Sequence, residues 1–326
     1  MSNILITGGG GYVGSLLTPY LIQKGHKVTV LDLFMYGEHV LQKNNNLKVV
    51  KGDIRNEDLI SKITKNQDIV IHLACISNDP SFELNPNLGK SINLDAFRPL
   101  VEQSVSNNVK KFIYASSSSV YGIKKERDVN ELMSLEPLTD YSKYKADCEK
   151  ILLDYQSDKF IVTILRPATV CGYAPRQRLD VVVNILTNLA YHNREIKIFG
   201  GSQLRPNIHI NDMVKSYEVI INAEDNKIDG QIFNVGYDNK SVKEIAKIVK
   251  SELGDDIKFL TEKTNDNRSY HISSHKIQKT LGFSPDFNIN DAAKDLKKAF
   301  DEKKLKNPLN NEFYFNIKRM QSINLK

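Results

Sequence analysis

Residues 3–14 of the chain read NILITGGGGYVG, an apolar run followed by a glycine-rich turn. The run Asn3–Thr7 predicts a strand, and residues 12–24 predict a helix. Gly8, Gly11 and Gly14 have the spacing GxxGxxG, which lets the backbone turn tightly and lets a pyrophosphate approach the helix N-terminus. A plain strand-to-helix turn is the alternative, but the place of the turn in the first strand–helix unit favours dinucleotide binding.

A carboxylate ends the second predicted strand, Lys27–Asp32. Asp32 lies 18 residues after Gly14, where it can accept hydrogen bonds from both hydroxyls of an adenosine ribose and would repel a 2′-phosphate. Because no arginine follows in residues 33–37, the sequence favours NAD over NADP. Asp53 follows a third predicted strand, Leu47–Lys51, and two interpretations stay open: a hydrogen bond to an adenine amino group, or an ordinary turn residue.

The rest of the first half alternates short apolar runs with amphipathic stretches. Strands are predicted at 68–73, Lys111–Ala115 and 160–165, with helices near 92–106 and at 141–155. Strands that are apolar on both faces and alternate with helices predict a doubly wound parallel sheet, an α/β fold of Rossmann type. We therefore expect an NAD-binding domain in residues 1–166.

The rhythm is looser after residue 166. Helices are predicted at 180–192, 211–222, Val242–Leu253 and 290–300, with strands at 196–199 and 232–235. No low-complexity linker separates the halves, so residues 167–326 are expected to form a smaller α/β substrate-binding lobe. This lobe would be interleaved with the first domain through a returning segment near residues 208–236. The role of residues 310–326 cannot be read from their pattern.

Composition narrows the function classes. A chain of 326 residues with 40% hydrophobic and 26% charged residues is typical of a soluble globular protein with one large or two modest domains. We expect no membrane span, because no run of 18 apolar residues occurs, and no secretory signal, because residues 1–8 lack a basic region and a cleavage site. Together these features predict a cytoplasmic protein.

The cysteines and the net charge point the same way. Cys75, Cys148 and Cys171 are odd in number and lack CxxC pairing, which argues against a disulfide framework and a cysteine zinc site, and no metal is expected. The net charge of +6 comes mainly from lysines spread over predicted helices, a pattern typical of solvated faces. The sequence therefore predicts no nucleic-acid partner.

A tyrosine and a lysine begin one predicted helix. Tyr141 and Lys145 are four residues apart, so their side chains share one face. A neighbouring ammonium and a nicotinamide positive charge would lower the tyrosine pKa from about 10 and make a general acid/base for an alcohol or sugar hydroxyl. The same spacing is also common by chance. Upstream, serines 116–119 follow the fifth predicted strand, at the edge where an open α/β sheet binds its ligands.

With the glycine turn, Asp32, the serine run and the Tyr–Lys pair, the chain resembles the extended short-chain dehydrogenase/reductases. Among them it is most similar to the nucleotide-sugar epimerases and dehydratases. The resemblance extends over nearly the whole chain, with supporting stretches at residues 72–74, 165–167, 205–212, 233–236 and 276–285.

The resemblance implies roles for the site residues. Tyr141 would be the general base, Lys145 would bind the nicotinamide ribose, and Ser117 would contact the reacting hydroxyl. The implied NAD-binding residues are Gly8, Gly11, Tyr12, Val13, Gly14, Asp32, Asp53, Ile54, Leu73, Ala74, Tyr141, Lys145 and Pro167. The substrate-binding candidates are Ser117, Ser118, Asn78, Thr169, Arg176, Arg178, Arg205 and Arg268.

Three of these assignments have open alternatives. Arg205 and Arg268 match positions that bind the diphosphate of a nucleotide sugar, as arginine can do bidentately, with a surface ion pair as the less favoured alternative for each. Asn78 can touch the sugar or cap its own loop. The resemblance also implies a homodimer.

Two departures from the family pattern matter. The 4,6-dehydratases carry Thr-Asp-Glu where this chain has Ser117-Ser118-Ser119, and Ser118 and Ser119 cannot supply the acid and base needed to eliminate water. Thr169 stands where many relatives have an asparagine near a phosphate. Both departures count against assignment to any single well-known member.

The sequence thus predicts an NAD-dependent enzyme that oxidises a sugar hydroxyl, C4 in particular, of a nucleotide-diphosphate sugar. It would act as a 4-epimerase or a 4-dehydrogenase, with a 4,6-dehydratase disfavoured. The alternatives are an NADH-dependent reductase of a keto nucleotide sugar and a catalytically silent NAD-sensing protein.

Overall fold

The computed structural model describes residues 1–126, 128–264 and 269–325. Its strands are β1 (Asn3–Thr7), β2 (Lys27–Asp32), β3 (Leu47–Lys51), β4 (Ile69–His72), β5 (Lys111–Ala115), β6 (Ile161–Pro167), β7 (Thr169–Cys171), β8 (Glu195–Phe199), β9 (Leu204–His209), β10 (Gln231–Val235), β11 (Asp238–Ser241) and β12 (Lys258–Glu262). Its α-helices are α1 (Gly14–Gln23), α2 (Glu57–Ile63), α3 (Asp79–Phe82), α4 (Pro86–Lys90), α5 (Phe97–Ser106), α6 (Asp140–Leu153), α7 (Val182–Asn193), α8 (Ile210–Asn222), α9 (Asp225–Ile228), α10 (Val242–Leu253), α11 (His275–Leu281), α12 (Ile289–Asp301) and α13 (Asn316–Ser322).

A seven-stranded sheet with the order β10-β6-β5-β4-β1-β2-β3 forms the centre of the molecule. All its neighbouring strands are parallel, which confirms the predicted doubly wound α/β fold. Helices α1 and α8 cover one face of the sheet and α2, α5 and α6 cover the other, each over its own apolar cluster. β1 lies between β2 and β4, so the strand order reverses beside the glycine turn and opens a crevice there.

The later residues build a smaller unit around two short sheets, β11-β9-β7 and β12-β8. Helices α7, α10 and α12 enclose its apolar cluster, to which Val183, Ile245 and Ala292 belong. β10 returns to the large sheet and pairs along β6, from Gln231 beside Thr163 to Val235 beside Pro167. No helix among the described residues is long and apolar enough to span a bilayer.

Several predicted elements differ from the structure in detail. The helix expected near 92–106 is divided into a π-helical turn, Ser91–Asp95, and α5. In that turn the buried Asn93 side chain accepts from the Ile76 backbone N–H and donates to the Ile76 carbonyl. These two bonds fix the π-helical turn where a regular α-helix was expected. α1 begins at Gly14 rather than at residue 12, because the turn continues through Val13.

His72, at the end of β4, makes stability depend on pH. Its side chain is 2% exposed, its Nδ1 lies 2.7 Å from Thr7 Oγ1, and burial together with the Lys145 charge lowers its pKa to about 3. The unfolded chain, with a histidine pKa of about 6.5, binds this proton first. The neutral ring therefore contributes stability above pH 6.5 that is lost as pH falls toward 3, by at most ~1.4 kcal/mol per pH unit.

Urea unfolding of the native chain and of His72→Phe at pH 7 and pH 5 checks this expectation. The phenylalanine variant is expected to lose less stability between the two pH values, although the unpaired Thr7 hydroxyl lowers its stability at both. An equal pH dependence in the two proteins would contradict the assignment.

Candidate functional site

A cleft of about 520 Å³ lies at the carboxyl ends of the parallel strands. It is lined by the glycine turn after β1, by residues that follow β2 to β6, and by loops of the smaller unit. Every site residue predicted from the sequence lines this one cleft, except Arg268, which lies outside the described residues. The fold therefore brings the predicted cofactor and substrate residues together, whereas their individual roles stay predictions.

The glycine turn leaves no room for side chains on its inner side. Gly8 has φ +80°, and a Cβ there would lie 2.5 Å from the backbone nitrogen of Ala74. A Cβ on Gly14 would lie 2.5 Å from the Cα of Gly9. The turn thus packs against the end of β4 and keeps its backbone close to the cleft, a shape suited to a pyrophosphate.

Asp32 stands beside this turn with its carboxylate already ordered. Its Oδ2 accepts a hydrogen bond of 2.9 Å from the Gly10 N–H, and its Oδ1 accepts one of 2.7 Å from the Phe34 N–H. Burial raises the pKa of Asp32, while these two bonds and the charge of Arg176 oppose the rise. Each oxygen keeps further acceptor capacity, as the predicted binding of two ribose hydroxyls requires.

Asp53 is held differently. Its carboxylate pairs with the Arg55 guanidinium at 2.6 Å and accepts the Arg55 backbone N–H at 2.8 Å. Partial burial alone would raise the pKa of Asp53, but the bonds from Arg55 outweigh it and lower the pKa. These contacts support the turn interpretation, although Asp53 and its neighbour Ile54 also line the cleft.

Tyr141 lies in the first turn of α6. Thr139 caps this helix and forms a reciprocal capping box with Ser142, which fixes the direction of the first turn. Lys145 donates from Nζ to the Ala115 carbonyl at 2.7 Å and lies 5.9 Å from the centre of the Tyr141 ring. Ser117, just beyond β5, shares a hydrogen bond of 2.9 Å with Ser119 Oγ and lines the cleft together with Tyr141.

Burial dominates the electrostatics of Tyr141. Burial raises the pKa of Tyr141, and the neighbouring Asp79 carboxylate adds to the rise, whereas the lowering by Lys145 together with a nicotinamide charge stays a prediction. The opposing influences come from Arg178 and from the Ser117 hydrogen bond. Lys145, whose Nζ lies 5.9 Å from the ring centre, keeps its charge while it donates to the Ala115 carbonyl, and Arg178 also favours the phenolate.

A buried polar network fixes the serine run relative to α6 and β6. Arg166 and Glu149, both 3% exposed, form a two-bond ion pair of 2.6 and 3.0 Å. Ser116 donates to the same Glu149 carboxylate, and Arg166 donates to the Tyr121 hydroxyl at 2.8 Å. This network holds three elements of the cleft wall in one arrangement.

Two arginines enter the cleft from the smaller unit, Arg176 buried and Arg178 half-buried. Arg176 stacks on the Tyr36 ring, with its guanidinium carbon 3.5 Å from the ring centre, and Arg178 pairs with Asp180 at 2.8 Å. Among the described contacts, Arg176 Nε and Nη1 and Arg178 Nη2 are buried without a hydrogen-bond partner. Buried donors of this kind need an acceptor, so an anionic ligand would complete them. Arg205 also lines the cleft, beside the Tyr270 ring.

Other predicted residues have structural contacts as well. Asn78, at φ 76°, caps α3 by accepting the Ser81 N–H at 2.9 Å, which favours its capping interpretation. Tyr12 donates to the Gly172 carbonyl at 2.6 Å and thereby ties the glycine turn to the smaller unit. Thr169 begins β7, and Ser118 is 8% exposed.

The sequence analysis missed a part of the cleft wall. Residues 311–325, here called the closing segment, place Asn316, Met320 and Leu325 along the cleft, and Tyr36 faces them from the loop after β2. The only signal in the sequence was the aromatic run 313–315. Because the contacts join residues almost 300 positions apart, no local pattern could have located them.

Comparison with known proteins shows which family the chain is similar to. The model of the NAD dependent epimerase/dehydratase family matches residues 4–236. The chain is 32% identical over 261 residues to a dTDP-D-glucose 4,6-dehydratase of Dictyostelium discoideum, covering 73% of this chain and 59% of that protein. It is 29% identical over 310 residues to a UDP-glucose 4-epimerase of Lactobacillus helveticus, covering 86% of this chain and 92% of that protein.

One similar solved structure is a UDP-glucuronic acid 4-epimerase of Bacillus cereus in complex with UDP-glucuronic acid and NAD. It superposes with a TM-score of 0.83 at 25% sequence identity, covering 92% of this chain and 99% of that one. The likeness therefore extends beyond the matched family region into the smaller unit.

Proposed function

The chain belongs to the NAD-dependent epimerase/dehydratase family, and from this premise we propose that it oxidises the C4 hydroxyl of a nucleotide-diphosphate sugar, as a 4-epimerase or a 4-dehydrogenase. The observation that carries the proposal is the meeting of Tyr141, Ser117 and the glycine turn in one cleft. A proton acceptor and a dinucleotide site in the same cleft suit the removal of a proton from a hydroxyl and of a hydride from the carbon that bears it.

Each group of the chain has a place in this reaction. Ser117 would hold the substrate hydroxyl, and the Tyr141 hydroxyl oxygen would take its proton. Arg178 favours the phenolate, and Lys145 would hold the nicotinamide ribose next to the reacting carbon. When bound, NAD supplies the hydride acceptor and a further positive charge. In a 4-epimerase the same Tyr141 returns the proton after the keto sugar has turned over in the cleft.

NAD fits the residues that are present. The side-chain-free turn at Gly8 and Gly14 would receive the pyrophosphate, and the ordered Asp32 carboxylate would receive the adenosine ribose. The buried donors of Arg176 and Arg178 would meet anionic groups of the ligands, consistent with a substrate that carries a diphosphate.

Replacing Asp32 with asparagine tests the ribose contact. Loss of two charge-assisted hydrogen bonds is expected to raise the Kd for NAD by about 10- to 100-fold. Asp53→Asn is the matched control, because that carboxylate already pairs with Arg55, and its Kd is expected to change by less than about threefold. Titration calorimetry measures both variants, and a larger loss at Asp53 than at Asp32 would contradict the ribose assignment.

The reaction itself is tested with purified protein, NAD and a panel of UDP-, dTDP-, GDP- and CDP-sugars. The expected product is a 4-epimer or a 4-keto sugar nucleotide, identified by NMR and mass spectrometry. A 4-keto-6-deoxy sugar would overturn the proposal in favour of a dehydratase, which the hydroxyls of Ser118 and Ser119 disfavour. Absence of turnover with every sugar would also count against the proposed activity.

The cofactor state separates the remaining alternative. A reductase of a keto nucleotide sugar consumes one NADH in each turnover. An epimerase returns the hydride to the sugar and leaves the amounts of NAD and NADH unchanged. Oxidised NAD retained through many turnovers supports the epimerase, and net formation of NADH supports the dehydrogenase. Net consumption of NADH with a keto sugar would replace both.

A further inference from the structure

We infer that the closing segment is part of the cofactor site, with Met320 and Leu325 forming one wall of the adenine slot and Asn316 fastening the segment across the cleft. The inference concerns NAD binding and does not depend on which sugar hydroxyl is oxidised.

Asn316 joins the closing segment to three other parts of the cleft. Its side-chain oxygen accepts from the Tyr36 hydroxyl at 2.8 Å and from the Arg176 guanidinium. Its side-chain nitrogen donates to Ser77 Oγ at 2.9 Å, and its backbone N–H donates to Asp180 at 2.8 Å. A side chain 3% exposed, with its amide bonded at both ends, holds a fixed position.

The loop after β2 has a second attachment. Arg319 donates from Nε to the Met35 carbonyl and pairs with Glu312 within the closing segment. Met35 and Tyr36 follow Asp32 by three and four residues, so α13 is fixed directly beside the predicted ribose contact. The segment thus spans the cleft from the loops after β2 and β4 to the smaller unit.

Met320 lines the cleft from the closing segment. It is 6% exposed and belongs to the apolar cluster that includes Ile54 and Ile76, with Met35 and Leu325 packed against that cluster. All five residues line the cleft. A ribose bound at Asp32 would place its base toward the end of β3, where Ile54 lies, because β3 is the next strand of the sheet.

The chemistry of this slot fits a purine. The faces of adenine are apolar and flat, and a methionine thioether packs favourably on aromatic rings. Met320 and Leu325 would cover one face of the base, with Ile54 across the slot. Asn316 and Arg319 hold the closing segment to the loops around the cleft. If NAD leaves past Met320 and Leu325, these hydrogen bonds must break first. We therefore expect slow release of NAD.

The experiment uses the full chain freed of nucleotide and measures binding of ADP-ribose, which carries the adenosine half of NAD without the nicotinamide. Met320→Ser is expected to raise the Kd for ADP-ribose by about tenfold, whereas Met320→Leu, which keeps the apolar surface, stays within about threefold of the native chain. Gln321→Ala, an exposed neighbour on the same helix, is the matched control and is expected to bind like the native chain.

A second measurement covers the fastening. Asn316→Ala is expected to release NAD about tenfold faster than the native chain in a stopped-flow chase with excess ADP-ribose. If Met320→Ser fails to fold, Leu325→Ser, at a half-buried position, takes its place. Native ADP-ribose affinity in the folded serine variant, or an equal loss in Gln321→Ala, would overturn the inference. Neither measurement uses a sugar nucleotide, so both can be interpreted even if the proposed sugar oxidation is not observed.

Discussion

Tyr141→Phe is expected to lower the rate of sugar oxidation by about a thousandfold, because it removes the group that takes the hydroxyl proton and leaves the ring in place. The hydroxyl is the only atom lost, so the packing of the ring against Phe82 and the capping of α6 by Thr139 are retained. We therefore expect unchanged thermal stability and an NAD affinity within about threefold of the native chain. Single-turnover kinetics with the best sugar of the panel measures the effect.

Tyr144→Phe is the matched control for this prediction. Tyr144 lies on the same helix and also packs against Phe82, and its hydroxyl is lost by the same substitution. It is expected to keep at least about half of the native rate, because a side chain outside the reacting groups contributes little to the barrier. Full activity in Tyr141→Phe, or an equal loss in both variants, would remove Tyr141 from the chemistry.

Glu149→Gln is expected to lower the free energy of unfolding by about 3–5 kcal/mol, because it leaves Arg166 as an uncompensated charge in the interior. The pair is 3% exposed on both sides, so water cannot replace the lost carboxylate. Ser116 is left with a neutral amide oxygen in place of the carboxylate to which it donates, so the anchor of the serine run next to Tyr141 is weakened. Urea unfolding at pH 7 measures the loss.

Asp147→Asn provides the comparison on the same helix. Its partner Lys150 lies at 3.6 Å in an exposed pair, with 46% of the Asp147 side chain accessible. This substitution is expected to cost less than about 1 kcal/mol, as exposed pairs usually do. A loss of similar size in both variants would show that the buried network contributes no more than a surface pair.

The sequence predicted the first half of the molecule well because its signals are local. β1, β2, β3 and β5 begin and end at the predicted residues. The buried strands β1, β2 and β5 stand out as apolar runs between polar turns, and the more exposed edge strand β3 still carries the apolar pair Val49 and Val50. The glycine turn and Asp32 are equally local, because the chemistry of a phosphate-binding turn resides in neighbouring residues. Helix α10, with its Ser241–Glu244 capping box, was predicted to the residue for the same reason.

The smaller unit was predicted less completely because its strands are short and polar. β11 reads DNKS and β12 is exposed throughout, so neither shows the apolar alternation that identifies a strand. The closing segment is the extreme case, since the contacts of Asn316 with Tyr36, Ser77 and Arg176 depend on the complete tertiary structure. Helix spacing likewise placed the Lys145 ammonium near the Tyr141 ring without showing the Ala115 carbonyl that receives its hydrogen bond.

The pairing of β10 with β6 has a consequence for the way the chain is made. β6 is complete once residue 167 has been synthesised, yet its outer edge acquires its partner only after residue 231. During that interval β6, an apolar strand with the sequence IVTILRP, presents unpaired backbone N–H and C=O groups along one edge. Such an edge can pair with strands of other chains. Expression of residues 1–166 alone would make this transient state permanent, and we expect such a fragment to aggregate rather than to fold as an isolated NAD-binding unit.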